Sequence, residues 1–453
     1  MKAEEKLVSF VRTTRFEEIP SIVLETVKNQ LLTVLGTTLA GATAEGCETA
    51  VQFYRELGGK EEATILVHGG RIPAHDAAYV NGVMARALDF CDSMAPGPHP
   101  GSSVIPAALA ATELAGGCSG RDFITALAVG TEVAARLNLS EKEYDGFDPT
   151  GICVPFGATA AASKILGLKP REIWNALALV FNSCGGSFQS HVDGSLGVRF
   201  VQGRVAQEGV LSARLASLGV TGPQNFLDGV YGYSHLYGRD RITGESATSN
   251  LGTRYELTKL VFKKFPSCAL TSGSTDAMLK LIAEEDLSTD DVVRIDITVP
   301  PYTHKLVGHP FEIGDNPKVN AQFSIQYCVA NALLSHNVKL VHFEENHVKD
   351  PRIAALTKRI NVVADKGLEP RGHTPLDMRV LTRSGKEYLK KVDIAPGFPG
   401  NSLTKEEHEQ RFWDCISFAG KPIAREHAER IASLVDGIET VGDIRMLVPL
   451  LVA

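Results

Sequence analysis

The chain has 453 residues, 44% hydrophobic and 22% charged, with a formal net charge of -7. That is a globular composition on a chain too long for one ordinary core, and the acidic balance, with no basic run carrying interleaved aromatics, argues against a general nucleic-acid binder. No stretch reaches the roughly 18 uninterrupted apolar residues of a spanning helix, and MKAEEKLVSFVRTTRFEE lacks a signal peptide's apolar centre, so a cytoplasmic location without membrane contact is expected.

The first 220 or so residues read as helices. Leu24, Val27, Leu31, Leu35 and Leu39 recur at helical spacing in SIVLETVKNQLLTVLGTTLAG. In DAAYVNGVMARALDF, Val80, Val83, Met84, Ala87 and Leu88 mark one face, with Asp76 as the expected N-cap. A helix from Val104 stops at Gly116-Gly117, and Ser119 with Asp122 opens the next as a capping box. Residues 157–166 form another helix, and Pro170 starts one with Ile173, Leu177 and Phe181 on one face. Alanine and glycine are frequent, so these helices are expected to approach closely. After about residue 262 the pattern changes. VVRIDITVP alternates, with Val293, Ile295, Ile297 and Val299 on one side; RINVVAD is a second strand, and MRVLTRSGKEYLKKVDI a hairpin turning at Ser384-Gly385. NAQFSIQYCVANALLS reads as one long buried helix between the first two strands, and helices return from about residue 400. The expected fold is mainly α: a large all-helical domain (1–262 with 400–453) and a smaller α+β domain (263–399).

Eight cysteines form no CxxC pair, which suits free buried thiols better than a zinc module or a disulfide scaffold. GxGxxG after a strand, GxxxxGK[ST], HExxH and GxSxG are all absent. The glycines of GGSFQSHVDGSLG lack the strand-then-helix context of a phosphate loop. No cofactor or metal is indicated, so side chains must carry any chemistry. The stretch DFCDSMAPGPHPGSSVIPAALAA concentrates suitable groups: Asp89 and Asp92, then His99 between two prolines, then Ser102 and Ser103 as expected N-caps. An acid, an imidazole and a helix start with free N–H groups suit proton transfer beside a bound carboxylate, although turn chemistry alone also explains such residues. Lys263 and Lys264 fall where the pattern changes, and Arg199 could hold a carboxylate in bidentate fashion; each could equally be a solvated or ion-paired surface charge.

LDFCDSMAPGPHPGSSVIPA resembles the "DFDDT…HP" signature of the MmgE/PrpD family. GFDPTGICVPFGATAAASKILGL is similar to its "FHPT…FGAAAAAAKLLGL", DGSLGVRFVQGRVAQEGVLSARLA to "DGTxxKRLHPGxAAxxGxxAAxLA", and FKKFPSC to "K-x-Y-P-x-C". The resemblance covers essentially the whole chain. It implies a helical domain built from both chain ends, an α+β lid, an active site in the cleft between them, a homodimer, no organic cofactor and small carboxylate substrates. Asp89, His99 and Lys263 match signature positions and are expected to be catalytic. Ser93 stands where threonine is usual, and Arg199 matches a basic neighbour; with Lys264 and Asp148 they are expected to bind substrate. Asp148, Val198 and Ser272 replace a histidine, a lysine and a histidine of the family pattern, and Leu306 falls near a tyrosine position.

The expected activity is a cofactor-independent lyase, dehydratase or decarboxylase, that abstracts an α-proton from a carboxylate less highly charged than 2-methylcitrate. The alternatives are an epimerase using the same abstraction, a divalent-metal enzyme built on Asp89, Asp92 and His99, and a family member without activity.

Overall fold

The computed structural model describes residues 1–140 and 143–453, and the fold is mainly helical with small sheets. The chain divides into two units, Met1–Leu260 with Cys415–Ala453, and Val261–Asp414. Among the described residues no helix is long and apolar enough to cross a membrane.

The first unit opens with α1 (Ala3–Thr13), α2 (Ser21–Gly41), α3 (Cys47–Leu57), α4 (Ala74–Arg86) and α5 (Gly101–Leu114). It continues with α6 (Gly120–Arg136), α7 (Pro149–Ile165), α8 (Pro170–Phe181), the single turn α9 (Gln189–Val192) and α10 (Gly197–Ser217). Helix α7 is the hub: every residue from Pro149 to Ser163 is buried, with α5, α6, α8 and α10 packed around it. Glycine makes the α6–α7 contact possible. A Cβ on Gly130 would lie 2.7 Å from the Gly157 carbonyl oxygen, and one on Gly157 2.5 Å from that of Gly130. A buried ion pair clips the following chain onto α6. Glu132 accepts from Arg136 Nε at 2.6 Å and from the N–H groups of Glu256 and Leu257 at 3.0 and 2.9 Å. The Arg136 guanidinium donates to the carbonyls of Ala247, Ser249, Asn250 and Arg254.

Three helix starts differ from the sequence expectation. Pro73, not Asp76, is the N-cap of α4; Asp76 lies in the first turn and accepts from Gln207 Nε2 at 2.9 Å. Helix α5 begins at Gly101 rather than Val104. Helix α7 begins at Pro149 rather than 157, because Asp148 caps it and Pro149 tolerates the first helical position; Pro155 sits inside it. Ser119 caps α6 as expected, its Oγ accepting from the Asp122 N–H at 3.2 Å.

The second unit holds a four-stranded sheet of β1 (Val292–Val299), β2 (Ile360–Ala364), β3 (Leu376–Thr382) and β4 (Glu387–Val392), in the order β2–β1–β3–β4. Strands β1 and β2 are parallel and the other pairs antiparallel. Ile295, Ile297 and Val299 face the core, but Val293 is 46% exposed. The register shifts between Val292 and Arg294, so Val292 takes the buried place that strict alternation gave to Val293. Helices α11 (Ser272–Glu285) and α12 (Ile325–Ser335) pack together. The expected single helix over residues 320–335 is two, Pro317–Gln322 and α12, because Ser324 caps α12 by accepting the Tyr327 N–H at 3.1 Å. The last long helix, α13 (Arg425–Asp436), belongs to the first unit and packs on α2.

Candidate active site

The chain leaves α4 through Asp89, whose φ of +52° is in the left-handed region that single Asp residues tolerate at turns. This turn folds its carboxylate back onto Arg86, with Nη1 2.7 Å from Oδ1; the two side chains are 5% and 17% exposed. Burial alone would drive charge off the guanidinium. Asp89, then Cys91 and Asp148 acting through space, outweigh it and hold Arg86 above its ordinary value. Arg86 Nε is buried without a hydrogen-bond partner.

Asp92 does something different. It is fully buried, and Oδ2 accepts from Gln30 Nε2 at 2.9 Å and from the Gly101 N–H at 3.0 Å. The α5 N-terminus therefore carries a carboxylate from its own chain, which corrects the expectation of an open anion site there. Ser102 and Ser103 are not caps. Their hydroxyls sit inside α5 and donate to Gln202 Oε1 of α10 at 3.0 and 2.8 Å.

His99 is 7% exposed, and its Nδ1 lies 2.8 Å from the Asp92 carbonyl oxygen. A carbonyl can only accept, so this contact assigns the proton to Nδ1 and leaves Nε2 as the basic nitrogen. The Cys91 thiol lies 3.5 Å from the same Nδ1. The His99 N–H donates to Thr150 Oγ1 at 3.1 Å, tying the histidine to the first turn of α7. That turn is capped by Asp148, whose Oδ1 accepts from the N–H groups of Thr150 and Gly151 at 2.9 and 3.1 Å. Asp148 Oδ2 meets His191 Nε2 of α9 at 3.3 Å.

Asp89, His99 and Asp148 thus share one neighbourhood of the first unit. Arg86 and His191 belong to it and escape sequence reasoning. Arg86 reads as an ordinary residue on the face of α4, and no spacing rule links residue 191 to 148. Ser93 follows Asp92 and is half-buried. Arg199 donates to the Glu45 carbonyl at 2.5 Å; burial, and then the charge of Arg86, lower it against an opposing effect of Cys47. In the second unit Lys263 is 4% exposed. Lys264 is engaged otherwise, with Nζ 2.7 Å from both Asp276 Oδ1 and Glu407 Oε1. Burial opposes its charge, but these two acids outweigh it and hold Lys264 above its ordinary value.

The family model of the MmgE/PrpD N-terminal domain matches residues 5–244, and that of the C-terminal domain residues 265–438. The chain belongs to the MmgE/PrpD family. It is similar to human cis-aconitate decarboxylase, 26% identical over 443 residues that span 95% of this chain and 90% of the relative. It is also similar to 2-methylcitrate dehydratase of Escherichia coli K12, 25% identical over 402 residues, 82% and 80% of the two chains.

The positions that the sequence resemblance marks as departures have the following surroundings. Asp148 is a helix cap joined to a histidine. Val198 lies at the start of α10. Ser272, fully buried at the start of α11, has an Oγ without a hydrogen-bond partner, and Leu306 is 41% exposed. Among the described residues no three His, Cys, Asp or Glu side chains converge as a metal-ligand set. Asp89 and Asp92 turn to separate partners, Arg86 on one side and Gln30 with Gly101 on the other. Among the described residues no cysteine is in a disulfide. Burial pushes the Cys153 thiol up to about 12, which makes it a poor nucleophile at neutral pH.

Proposed function

We propose that this MmgE/PrpD member is a cofactor-independent lyase that removes a proton from the carbon beside a carboxylate of a small substrate. The observation that carries the reading is the fixed tautomer of His99, with Nδ1 held by the Asp92 carbonyl and Nε2 left as a base. The buried Arg86–Asp89 pair stands in the same neighbourhood. In this mechanism His99 Nε2 takes the α-proton and the electron pair moves into the carboxylate as an enolate. Lys263, carried over from the resemblance, is the proposed cation for that carboxylate, with Ser93 as a hydroxyl donor. Asp89 orients Arg86, and Arg199 adds positive charge to the same region. Fixed charges placed where negative charge develops lower the barrier without reorganising during the reaction. In a dehydration the enolate expels the β-hydroxyl group, which leaves as water on taking a proton from an acid of the site; in a decarboxylation no proton is abstracted, the C–C bond to CO2 breaks in its place, and the carbanion takes up one proton. The names of the relatives, a decarboxylase and a dehydratase, support the class. Val198 and Asp148 stand where the family pattern carries cationic or proton-carrying groups, so we propose a substrate with less negative charge than a tricarboxylate. A cytoplasmic homodimer is part of the same proposal, and light scattering of the purified protein checks the dimer.

The test is a panel of cis-aconitate, 2-methylcitrate, citrate, malate, succinate and aspartate in D2O, followed by NMR. New olefinic signals or released CO2 are expected for at least one compound, with the rate falling about 100-fold or more in His99→Gln. Exchange with inversion and no net reaction would make the protein an epimerase. No exchange and no product with any compound, or wild-type rates in His99→Gln, would sink the reading.

A further inference from the structure

The first unit holds a second carboxylate-oriented imidazole that the mechanism above does not use. His191 Nε2 lies 3.3 Å from Asp148 Oδ2, and Asp148 is 1% exposed while the His191 side chain is 24% exposed. The other oxygen, Oδ1, is already an acceptor for two backbone N–H groups of α7. The ring nitrogen is thus the natural donor to Oδ2, which fixes this tautomer as His99 is fixed, but with the nitrogens reversed. His191 Nδ1 is then the nitrogen left to exchange a proton, and no hydrogen bond to it is found among the described residues. The ring is stacked on Phe188, with centroids 4.5 Å apart, so its plane is held as well as its proton. Two links place the pair beside His99. The Thr150 N–H donates to Asp148 Oδ1 and the Thr150 hydroxyl accepts the His99 N–H, so both imidazoles hang on one turn of α7. Asp148 also acts on the charge of Arg86, the partner of Asp89.

We infer that His191 is a second catalytic residue, a general acid held by Asp148 as its positioning residue, working opposite the base His99. This rests on the lyase reading and extends it. The α C–H bond breaks and its proton goes to His99 Nε2, leaving the enolate. In a dehydration the β C–O bond then breaks as the His191 imidazolium gives its Nδ1 proton to the departing oxygen, so water leaves and the electron pair closes the double bond. The enzyme ends with His99 protonated and His191 neutral, and solvent restores both. In a decarboxylation no α-proton is taken; the C–C bond to CO2 breaks, its electron pair stays on carbon, and the same Nδ1 proton goes to that carbanion. The charged groups near the pair include Asp148 itself, Arg204 of α10, which donates to the Gly185 carbonyl, Arg86, on whose charge Asp148 acts, and Asp193 two residues along the chain from His191.

The acid and base halves separate experimentally. Exchange of an α-proton into D2O requires the base alone, whereas product formation also requires the acid. The panel above is run with wild type, His99→Gln, His191→Gln and Asp148→Asn, with circular dichroism and melting temperature as controls of folding. His191→Gln is expected to keep α-exchange within about threefold while product formation falls about 100-fold. Asp148→Asn keeps an oxygen for the two N–H groups of α7. Its amide nitrogen can turn toward His191 and favour the wrong tautomer, so a loss of about tenfold or more in product formation is expected with the cap intact. Product formation in His191→Gln within threefold of wild type overturns the inference while leaving the lyase reading in place. Wild-type exchange and product formation in His99→Gln overturn both.

Discussion

At the scale of single residues, the stretch around Asp89 separates into two kinds of acid. Asp92 is consumed by structure, because its carboxylate satisfies Gln30 and the first N–H of α5. Asp89, itself half-buried, answers the charge of the buried Arg86. Sequence could find both acids, since they are quoted by the signature, but could not rank them by what they touch. It could not find Arg86, because one basic residue at the end of an apolar helix reads as a favourable charge near the C-terminal dipole. The pairing makes a testable claim about stability. Removing one partner of a buried pair strands the other charge, at a cost of about 3–5 kcal/mol. Arg86→Met and Asp89→Asn should each lower the urea unfolding free energy by an amount of that order. The double variant should recover part of the loss, because no charge is then left alone, while turnover stays abolished. Strictly additive losses in the double-mutant cycle would show that the two side chains do not stabilise each other.

At the scale of elements, the sequence made most helices legible and several of their starts illegible, for local reasons. Periodicity placed α8 over Pro170–Phe181 because apolar and polar faces alternate there. Helix α7 has no polar face to reveal its period, being buried all round, and an internal proline interrupts its pattern. The β1 bulge was invisible for a related reason: Val292 and Val293 are chemically identical, so only the partner strand decides which is inside. The frequency of small residues, by contrast, correctly announced close helix packing, and Gly157 shows how strict the requirement is. In an exposed helix, replacing glycine by alanine is worth roughly 1 kcal/mol in favour of the helix. At Gly157 the new methyl would meet the Gly130 carbonyl oxygen at 2.5 Å, closer than contact permits, and backbone cannot rotate away as a side chain can. Gly157→Ala should therefore destabilise the first unit by about 1–3 kcal/mol despite its better helix propensity. A melting temperature at or above wild type would show that α6 and α7 can separate at no cost.

At the scale of the whole molecule, the division into two units gives each one its own tryptophan and its own titratable core. The chain has 2 tryptophans, Trp174 in α8 of the first unit and Trp413 in the second. Beside Trp413 in sequence lies His408, 4% exposed, with its ring 4.9 Å edge-on to Phe262 and Nδ1 without a hydrogen-bond partner. Burial, reinforced by Arg411, pushes it down to about 3. His342, in the same unit, is pushed down to about 4 by burial first and then by His347 and Lys339. Both therefore stay neutral in the folded unit at pH values where an unfolded histidine, with a pKa near 6.5, takes up a proton. Stability rises with pH wherever the unfolded chain binds more protons, so this contribution is complete above about pH 6.5 and is lost progressively as the pH falls toward the folded values. For His408 alone the limiting slope is about 1.4 kcal/mol per pH unit, or about 2 kcal/mol between pH 6.5 and 5. Trp174→Phe leaves Trp413 as the only fluorescent indole, so urea titrations of that variant read the second unit directly. Its unfolding free energy should fall between pH 7 and pH 5, and adding His408→Gln, which cannot titrate, should flatten the fall by about 2 kcal/mol. An equally steep fall with and without His408 would place the acid sensitivity of the second unit elsewhere.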